Sequence, residues 1–301
     1  MKNKRFVAFL LAVICILSLC SCDTINSFFD KDLESESRID KDDALLVSHY
    51  IYVGQGDSEF IEFPDGKTML IDAGPREGGD NVIKLIKKLG YKKIDFLIGT
   101  HPHSDHIGAL ADVIKTFDIG TIYMPDAQAN TKGYEYLLQT IRNKNKKIKL
   151  AKAGMKITSS KEYDYSADIL APVGTDYESL NNYSVVIMVR YKNRRLLYTG
   201  DIEALAEKEI MDNNTELSAD VVKAPHHGSS SSSTEEFIQR TGASYVIFSC
   251  GENNDYNHPH KKIVKRWEKA GAGIYRTDKM GTITVATNGD EISVKTEKQE
   301  D

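Results

Sequence analysis

The chain has 301 residues and a formal net charge of −5, and hydrophobic residues make up 41% of it. Loss of the three cations near its N-terminus, Lys2, Lys4 and Arg5, would take the charge to −8. A chain this acidic has no general attraction to the phosphate backbone of nucleic acids, so composition excludes a DNA-binding protein that works by overall charge. The sequence also shows no internal repeat of the kind that builds solenoids.

The N-terminal segment has the pattern of an export signal. After the cationic start comes an apolar stretch of 14 residues, 6–19, which suits a signal-peptide core and is shorter than the ~20 residues that span a bilayer. The sequence Leu-Cys-Ser-Cys at 19–22 resembles a bacterial lipobox. We therefore expect a lipoprotein signal peptide over 1–21 and lipidation of Cys22, which would anchor the exported protein to the outer face of the bacterial cytoplasmic membrane. Cleavage by an ordinary signal peptidase is the alternative.

Residues 22–44 are expected to be the lipidated end and a flexible tether, because they are rich in Asp, Glu, Ser and Lys and poor in apolar side chains. Of the four cysteines, only Cys250 would then remain free, and its apolar neighbours favour a small buried strand residue. The remaining segment, 45–301, is long enough for a single domain with a full core.

Hydrophobic periodicity predicts alternating strands and helices in this domain. The expected strands are 45–53, 59–63, 68–71, 96–99, 121–124, 184–191, 195–199, 282–286 and 292–295. The expected helices are 81–89, 107–117 and 134–142, with further helix and strand pairs before the two closing strands. The first three strands should form an antiparallel meander, because short turns separate them. Two such β-rich halves fit an α/β fold of the four-layer αββα type.

The most informative motif is H-x-H-x-D-H at 101–106, directly after the apolar run 94–98. Alternate side chains of an extended loop point the same way, so His101 and His103 would face one ion and Asp105 and His106 a second. Imidazole nitrogens and carboxylate oxygens suit Zn²⁺, Mn²⁺ or Fe. The alternative is a His-rich surface loop without metal.

Two downstream segments supply further carboxylate and imidazole groups that could bind metal. The strand over 195–199 ends in a Gly-Asp turn, which would bring Asp201 to the end of a strand where two ions can share one carboxylate. The short apolar run 219–223 is followed by the adjacent imidazoles of His226 and His227. Adjacent side chains diverge, so we expect only one of the two to bind metal.

The chain resembles the metallo-β-lactamase superfamily in three motifs that occur in the same order: T-H-P-H-S-D-H at 100–106, T-G-D at 199–201 and P-H-H-G-S at 225–229. Three more motifs narrow the resemblance to the extracytoplasmic hydrolase domain of ComEC-type competence proteins, which act in DNA uptake: V-G-Q-G-D-S at 53–58, L-I-D-A-G at 70–74 and N-H-P-H at 257–260. The resemblance covers residues 45–294 and implies a single-domain metallo-β-lactamase sandwich.

The resemblance assigns six ligands to two divalent ions, Zn²⁺ or Mn²⁺: His101 and His103 on the first, Asp105, His106 and His227 on the second, and Asp201 between them. The reverse assignment of His226 and His227 stays open. Many members supply another His between the H-x-H-x-D-H loop and the Gly-Asp turn, and this chain has none from 107 to 200. The sequence N-N-Y-S at 181–184 stands there, so the first ion would bind more loosely or be a harder ion such as Mn²⁺.

Further residues are expected to support a ligand or to touch the substrate: His226, Asp72, Gln55, Asp57, Ser58, Asn182, Ser184 and Ser229. Asp72 would hold a ligating His in the correct tautomer. For Gln55, Asp57 and Ser58 the resemblance favours substrate contact, and the alternative is an ordinary Gly-rich turn. The catalytic residues would be Asp105, Asp201 and His258. His258 would orient a phosphate or protonate a leaving group, or else be only an exposed loop residue.

The expected function is therefore a metal-dependent phosphodiesterase or nuclease of ComEC-like type, in which a metal-bridging hydroxide attacks phosphorus. Its partners would be a phosphodiester substrate, with DNA as a candidate, and the membrane through the lipid anchor; the sequence identifies no protein partner. One alternative is a phosphorylcholine-esterase-like hydrolase of cell-wall teichoic acids. Another is a non-catalytic binding lipoprotein on the same fold. Hydrolysis of β-lactams is the least favoured.

Overall fold

The structure is a computed structural model that describes residues 45–213 and 216–298. The expected signal peptide 1–21, the lipidation site Cys22 and the tether 22–44 lie outside the described residues and stay predictions. In the part of the chain that the structure describes, no helix combines the length and the apolar character needed to cross a membrane.

Strands and helices alternate along much of the described chain. The strands are β1 (Leu46–Tyr50), β2 (Glu59–Glu62), β3 (Thr68–Ile71), β4 (Lys93–Ile98), β5 (Asp118–Met124), β6 (Ile148–Leu150), β7 (Lys156–Ser160), β8 (Tyr165–Ala171), β9 (Val186–Tyr191), β10 (Arg194–Tyr198), β11 (Val221–Lys223), β12 (Tyr245–Phe248), β13 (Gly273–Arg276), β14 (Ile283–Thr287) and β15 (Ile292–Thr296). The helices are α1 (Gly79–Lys88), α2 (Ser104–Ile107), α3 (Leu110–Thr116), α4 (Lys132–Asn143), α5 (Ala204–Asp212), α6 (Glu235–Thr241), α7 (Lys261–Lys269) and α8 (Thr277–Met280).

The strands form two mixed sheets that pack face to face. Sheet one has the strand order β15-β14-β1-β2-β3-β4-β5-β6, and sheet two has the order β13-β12-β11-β10-β9-β8-β7. Each sheet is antiparallel in one part and parallel in the other. The parallel parts are β3 to β6 in sheet one and β10 to β13 in sheet two.

Each sheet contributes to a hydrophobic core on both of its faces. The facing sides of the two sheets share an inner core that includes Leu46 and Ile187. Helices α1, α3 and α4 cover the outer side of sheet one, where Val82 packs on Leu70 and its neighbours. Helices α5, α6 and α7 cover sheet two, where Trp267 is fully buried. The predicted four-layer αββα sandwich in a single domain is therefore confirmed.

The opening meander is confirmed, because β1, β2 and β3 pair antiparallel within the predicted ranges. The single helix predicted over 107–117 is wrong: the structure has two helices, and the first begins already at Ser104. The backbone N–H of Ala109 donates to the carbonyl of Gly74 at 3.2 Å instead of continuing the helix. A Cβ on Gly108 would lie 3.1 Å from the same carbonyl oxygen. This close approach brings the H-x-H-x-D-H segment against the end of β3.

Candidate metal centre

The ligand-type residues meet at one end of the sandwich, where parallel strands of both sheets end. Asp72 follows β3 and the 101–106 motif follows β4, while Asp201 follows β10 and His227 follows β11. The carboxyl ends of parallel neighbours lie at the same edge of a sheet. Strand pairing therefore brings these loops together.

Four side chains, those of Asp105, His106, Asp201 and His227, have ligand atoms within 4.8 Å of one another; we call them the four-residue cluster. Asp201 Oδ2 lies 3.3 Å from Nε2 of His106 and 3.3 Å from Nε2 of His227. Asp105 Oδ2 lies 3.4 Å from His227 Nε2. Two imidazoles and two carboxylates at these distances are a donor set that suits Zn²⁺ or Mn²⁺.

The His106 ring is oriented from behind by Asp72. The Asp72 carboxylate accepts hydrogen bonds from Thr100 N (2.8 Å) and Thr100 Oγ1 (2.6 Å), and its Oδ2 lies 2.7 Å from His106 Nδ1. Burial raises the pKa of Asp72, whereas His106 and the Thr100 hydrogen bonds act to lower it. In its ionised form this carboxylate can only accept, so Nδ1 of His106 carries its hydrogen on this side. In the neutral ring, the Nε2 lone pair then faces the cluster, which is the orientation that a metal ligand needs.

The two adjacent histidines after β11 point in different directions. Both have left-handed backbone conformations, with φ of 48° at His226 and 51° at His227. His227 Nδ1 lies 2.9 Å from the carbonyl oxygen of Ser249 and 3.0 Å from Asp57 Oδ1, both acceptors, so its Nε2 faces the cluster. His226 lies on the rim of the site, with Nε2 at 3.6 Å from Asp201 Oδ2.

The cluster contains buried polar atoms that no group of the described residues satisfies. Burial acts to raise the pKa of Asp201, but the rings of His227 and His106 hold it well below its ordinary range. Burial acts to lower the pKa of His227, but the Asp201 and Asp57 carboxylates raise it well above its usual value. His106 Nε2, His227 Nε2 and Asp201 Oδ1 are buried atoms without a hydrogen-bond partner. One ligand atom from each of the four residues lies within 4.8 Å of the others, so the residues fit a divalent ion.

His101 and His103 lie beside the cluster. His101 Nε2 is 2.9 Å from His103 Nδ1, and the His101 and His106 ring centroids are 4.2 Å apart. Burial lowers the pKa of His101 well below its usual value, which keeps its ring neutral and able to bind metal. His101 Nδ1 lies 3.2 Å from Ser184 Oγ, and that oxygen accepts a hydrogen bond from Asp201 N at 3.0 Å. Ser184 therefore links one candidate ligand to another.

The 181–184 segment occupies the region between the H-x-H-x-D-H loop and the Gly-Asp turn, where many superfamily members have a further histidine and this chain has none. Asn182 Oδ1 accepts a hydrogen bond from Glu203 N at 3.0 Å, so its amide supports the loop that follows Asp201. Asn181 lines the cavity beside the cluster instead, and its buried Oδ1 has no hydrogen-bond partner. Asn181 was not predicted as a site residue, because the sequence alone does not distinguish two adjacent asparagines. The turn Leu180–Tyr183 directs their side chains differently.

The cluster opens into a cavity of about 640 Å³. Its lining includes Gln55, His103, Asn130, Asn181, Tyr256 and His258. Gln55 Oε1 accepts a hydrogen bond from Gly251 N at 3.1 Å, whereas its buried Nε2 has no partner. A cavity of this size takes a small polar substrate or one segment of a polymer.

Three other residues with expected roles do not line this cavity. Asp57 and Ser58 are buried behind the cluster, where Ser58 Oγ donates to the carbonyl of Asp72 at 3.2 Å. Ser229 Oγ lies 3.1 Å from Ser231 Oγ within its own loop. Their positions support the loops that carry the ligands, whereas the sequence favoured substrate contact for Asp57 and Ser58.

His258 lies on the cavity wall. Its ring stacks on Tyr256 with centroids 5.6 Å apart, and it lies 5.6 Å from the His226 ring. Burial, together with His227 and His226, lowers the pKa of His258 to about 4. The ring is therefore neutral at pH 7. It can bind a substrate oxygen through its ring N–H, but it does not carry the extra proton that a general acid would donate to a leaving group.

Two buried ionisable residues behind the cluster, Lys223 and Glu59, were not among the residues predicted from the sequence. Lys223, the last residue of β11, is fully buried, and its Nζ lies 2.6 Å from Asp57 Oδ2. Glu59 in β2 is buried beside them. The feature of the sequence that could have indicated Lys223 is its position at the end of an otherwise apolar strand.

The sequence matches a family model described as the metallo-beta-lactamase superfamily over residues 51–251. It is 32% identical over 268 residues to ComE operon protein 3 of Bacillus subtilis, covering 83% of this chain and 33% of that protein. It is 24% identical over 242 residues to Competence protein ComA of Neisseria gonorrhoeae, covering 76% of this chain and 30% of that protein. The chain thus spans about a third of the length of these relatives.

A solved structure has the same fold. Igni18, a metallo hydrolase from the archaeon Ignicoccus hospitalis, matches with a TM-score of 0.51 and 15% sequence identity. The match covers 79% of this chain and 98% of that protein. At this identity the likeness concerns the fold alone.

Proposed function

The chain belongs to the metallo-β-lactamase superfamily, and we propose that it is a metal-dependent hydrolase of phosphodiester bonds. The observation that carries the proposal is the four-residue cluster, whose free ligand atoms converge beside an open cavity. The name of one relative, a competence protein, favours DNA as the phosphodiester. The overall negative charge does not oppose this, because contact with one cavity needs only local complementarity.

The proposed role of each residue follows from its position in the site. Divalent ions in this site would polarise an ester oxygen and activate water at neutral pH. His106 and His227 would hold one ion with Asp105 and Asp201, and His101 and His103 would hold the other. His258 lines the cavity, where its ring N–H can orient an oxygen of a phosphate, and the buried Oδ1 of Asn181 is a free acceptor in the same cavity.

The direct test is the activity of purified protein loaded with Zn²⁺ or Mn²⁺. We expect it to cleave bis(4-nitrophenyl) phosphate and single-stranded DNA, and we expect EDTA to stop both reactions. Metal-loaded protein that cleaves no phosphodiester would overturn the proposal. Binding without turnover would favour the non-catalytic alternative.

A phosphorylcholine esterase is the second candidate, and Tyr256 favours it. This ring is 63% exposed at the cavity and stacks on His258. An aromatic face binds a quaternary ammonium by cation–π attraction, and it also stacks on a nucleobase. Cleavage confined to choline-substituted teichoic acid, and lost in Tyr256→Ala, would favour this candidate over the nuclease.

We predict that the purified protein binds close to two divalent ions per chain. Each of His103 and Asp105 supplies a ligand atom to a different ion, so the variant His103→Ala with Asp105→Ala should lose most of the bound metal. Elemental analysis after gel filtration measures this. His49→Gln is the control, because His49 contacts Glu62 and Thr284 within sheet one. Absence of specific metal from the native protein would contradict the prediction.

We also propose export and lipid anchoring through Cys22, which the export pattern of the first 22 residues supports. Cys22→Ala should move the protein from the membrane fraction into the soluble or precursor pool, because the acylated residue is lost. Fractionation and immunoblotting measure the distribution. Cys20→Ala should leave it unchanged. Full membrane retention of Cys22→Ala would show that another anchor exists.

His258→Ala should lower turnover by roughly 10²-fold, the cost of one hydrogen bond to a substrate oxygen, and should leave the metal content unchanged. The neutral ring acts through an N–H, so His258→Gln should recover part of the loss with its amide N–H. Steady-state kinetics with metal analysis of both variants checks this. Loss of bound metal in His258→Ala would instead make His258 a ligand.

A further inference from the structure

A buried ion pair, Lys223 with Asp57, lies directly behind the four-residue cluster, and Glu59 is buried beside it. Lys223 has no exposed surface, and Asp57 and Glu59 are each 1% exposed. Burial of a charge is unfavourable unless it is paired, and apolar residues of similar volume often fill such a space at no loss of stability. The presence of charges at this place therefore points to a role in the site.

The Lys223 ammonium has three acceptors for its three hydrogens. Its Nζ lies 2.6 Å from Asp57 Oδ2, 2.9 Å from the carbonyl oxygen of Ala224 and 3.4 Å from that of Gly200. Gly200 directly precedes Asp201, and Ala224 opens the turn that carries His227. One ammonium thus binds the backbone beside two candidate ligands from neighbouring strands.

Asp57 extends this contact to a ligand side chain. Its Oδ2 is bound by Lys223, and its Oδ1 lies 3.0 Å from His227 Nδ1, which also lies 2.9 Å from the carbonyl oxygen of Ser249. The ammonium of Lys223 at 2.6 Å pairs with this buried carboxylate and favours its ionised form. An ionised acceptor beside Nδ1 keeps the hydrogen on that nitrogen and directs Nε2 to the cluster.

Lys223 also supplies positive charge on the inner side of the cluster. The ligand atoms of Asp57, Asp72 and His106 lie within 4.8 Å of one another and form a second group able to hold a cation. The ammonium is already there, bound to Asp57 at 2.6 Å. An ion is therefore favoured on the cavity side, where a substrate can reach it.

We propose that Lys223 is a positioning residue of the metal centre, which holds the His227 ring through Asp57 and the Asp201 turn through the carbonyl of Gly200. The inference rests on the proposed function only in requiring that the four-residue cluster bind a divalent ion. The competing explanation is that the buried pair serves the stability of the fold alone.

Two variants separate these explanations. Lys223→Met keeps the length of the side chain and removes its charge, and the double variant Asp57→Leu with Lys223→Met removes both charges and leaves an apolar pair. The double variant is expected to fold like the wild type by circular dichroism, since an apolar pair replaces the buried ion pair. Lys152→Met is the matched control, because Lys152 is exposed.

The readouts are the affinity for Co²⁺ or Zn²⁺, measured by competition with a chromophoric chelator, and the visible absorption spectrum of bound Co²⁺. We expect both Lys223 variants to bind the tightest ion about 10- to 100-fold more weakly, the usual effect of losing a residue that supports a ligand. The cobalt spectrum should change because Asp57 is no longer fixed beside the His227 ring, which then keeps only its contact with the Ser249 carbonyl. Lys152→Met should match the wild type in both measurements.

Wild-type affinity and an unchanged cobalt spectrum in Lys223→Met, or in the folded double variant, would overturn the proposal. If Lys223→Met fails to fold, the metal affinity and the cobalt spectrum of the double variant test the proposal instead. Wild-type protein that binds cobalt and cleaves no phosphodiester would overturn the proposed function, whereas the affinities of the variants would still test the role of Lys223.

Discussion

Replacement of Asp201 by asparagine is expected to lower phosphodiester turnover by roughly 10³-fold or more. Asp201 Oδ2 is the atom that both His106 Nε2 and His227 Nε2 approach at 3.3 Å, and the ligand-bearing loops of the two sheets meet there. The amide keeps the shape of the side chain and removes its charge. Catalysis should therefore be lost without a cavity in the core.

The measurement is kcat/KM on bis(4-nitrophenyl) phosphate, with bound metal and the melting temperature followed in the same preparation. Asp118→Asn is the control, because the Asp118 side chain is 68% exposed at the start of β5. Turnover that survives Asp201→Asn undiminished would contradict the assignment of this carboxylate. A contaminating nuclease would give the same result, so the assay is repeated after a second purification step.

The site residues that could be predicted from the sequence are of two kinds: those that lie close together in one motif, and those that directly follow a strand. The H-x-H-x-D-H segment places His101, His103, Asp105 and His106 together within one loop. Asp201 and His227 follow strands whose parallel pairing sets their position. The layers of the fold were equally readable, because strands and helices leave periodic apolar patterns.

The parts that sequence did not predict depend on contacts between distant segments. Lys223 and Asp57 meet only when a strand of sheet two packs against the loop after β1 in sheet one. The break between α2 and α3 likewise depends on Gly74, a residue of another loop. Hydrophobic periodicity describes only neighbouring residues along the chain, so it does not predict contacts between distant segments. A single sequence offers no other evidence for such contacts.

Replacement of Asp72 by asparagine is expected to weaken binding of the tightest metal ion by about 10- to 100-fold and to lower turnover accordingly. The reason is a change of tautomer. Thr100 N is an obligate donor to Asp72 Oδ1, so the oxygen of the new amide must stay there. The NH₂ group then faces His106 Nδ1, which must become an acceptor, and the ring hydrogen moves to Nε2. A protonated Nε2 cannot bind a metal ion.

The fold should tolerate this change, because Asp72 has a φ of 53° and asparagine is among the residues that adopt this conformation most readily. Chelator competition measures the affinity, and the imidazole N–H resonances of His106 report the tautomer by NMR. Asp168→Asn, at a partly exposed ion pair with Arg190 in sheet two, is the control for loss of one carboxylate. Wild-type metal affinity in Asp72→Asn, with the hydrogen still on Nδ1, would show that the ring is oriented by something other than Asp72.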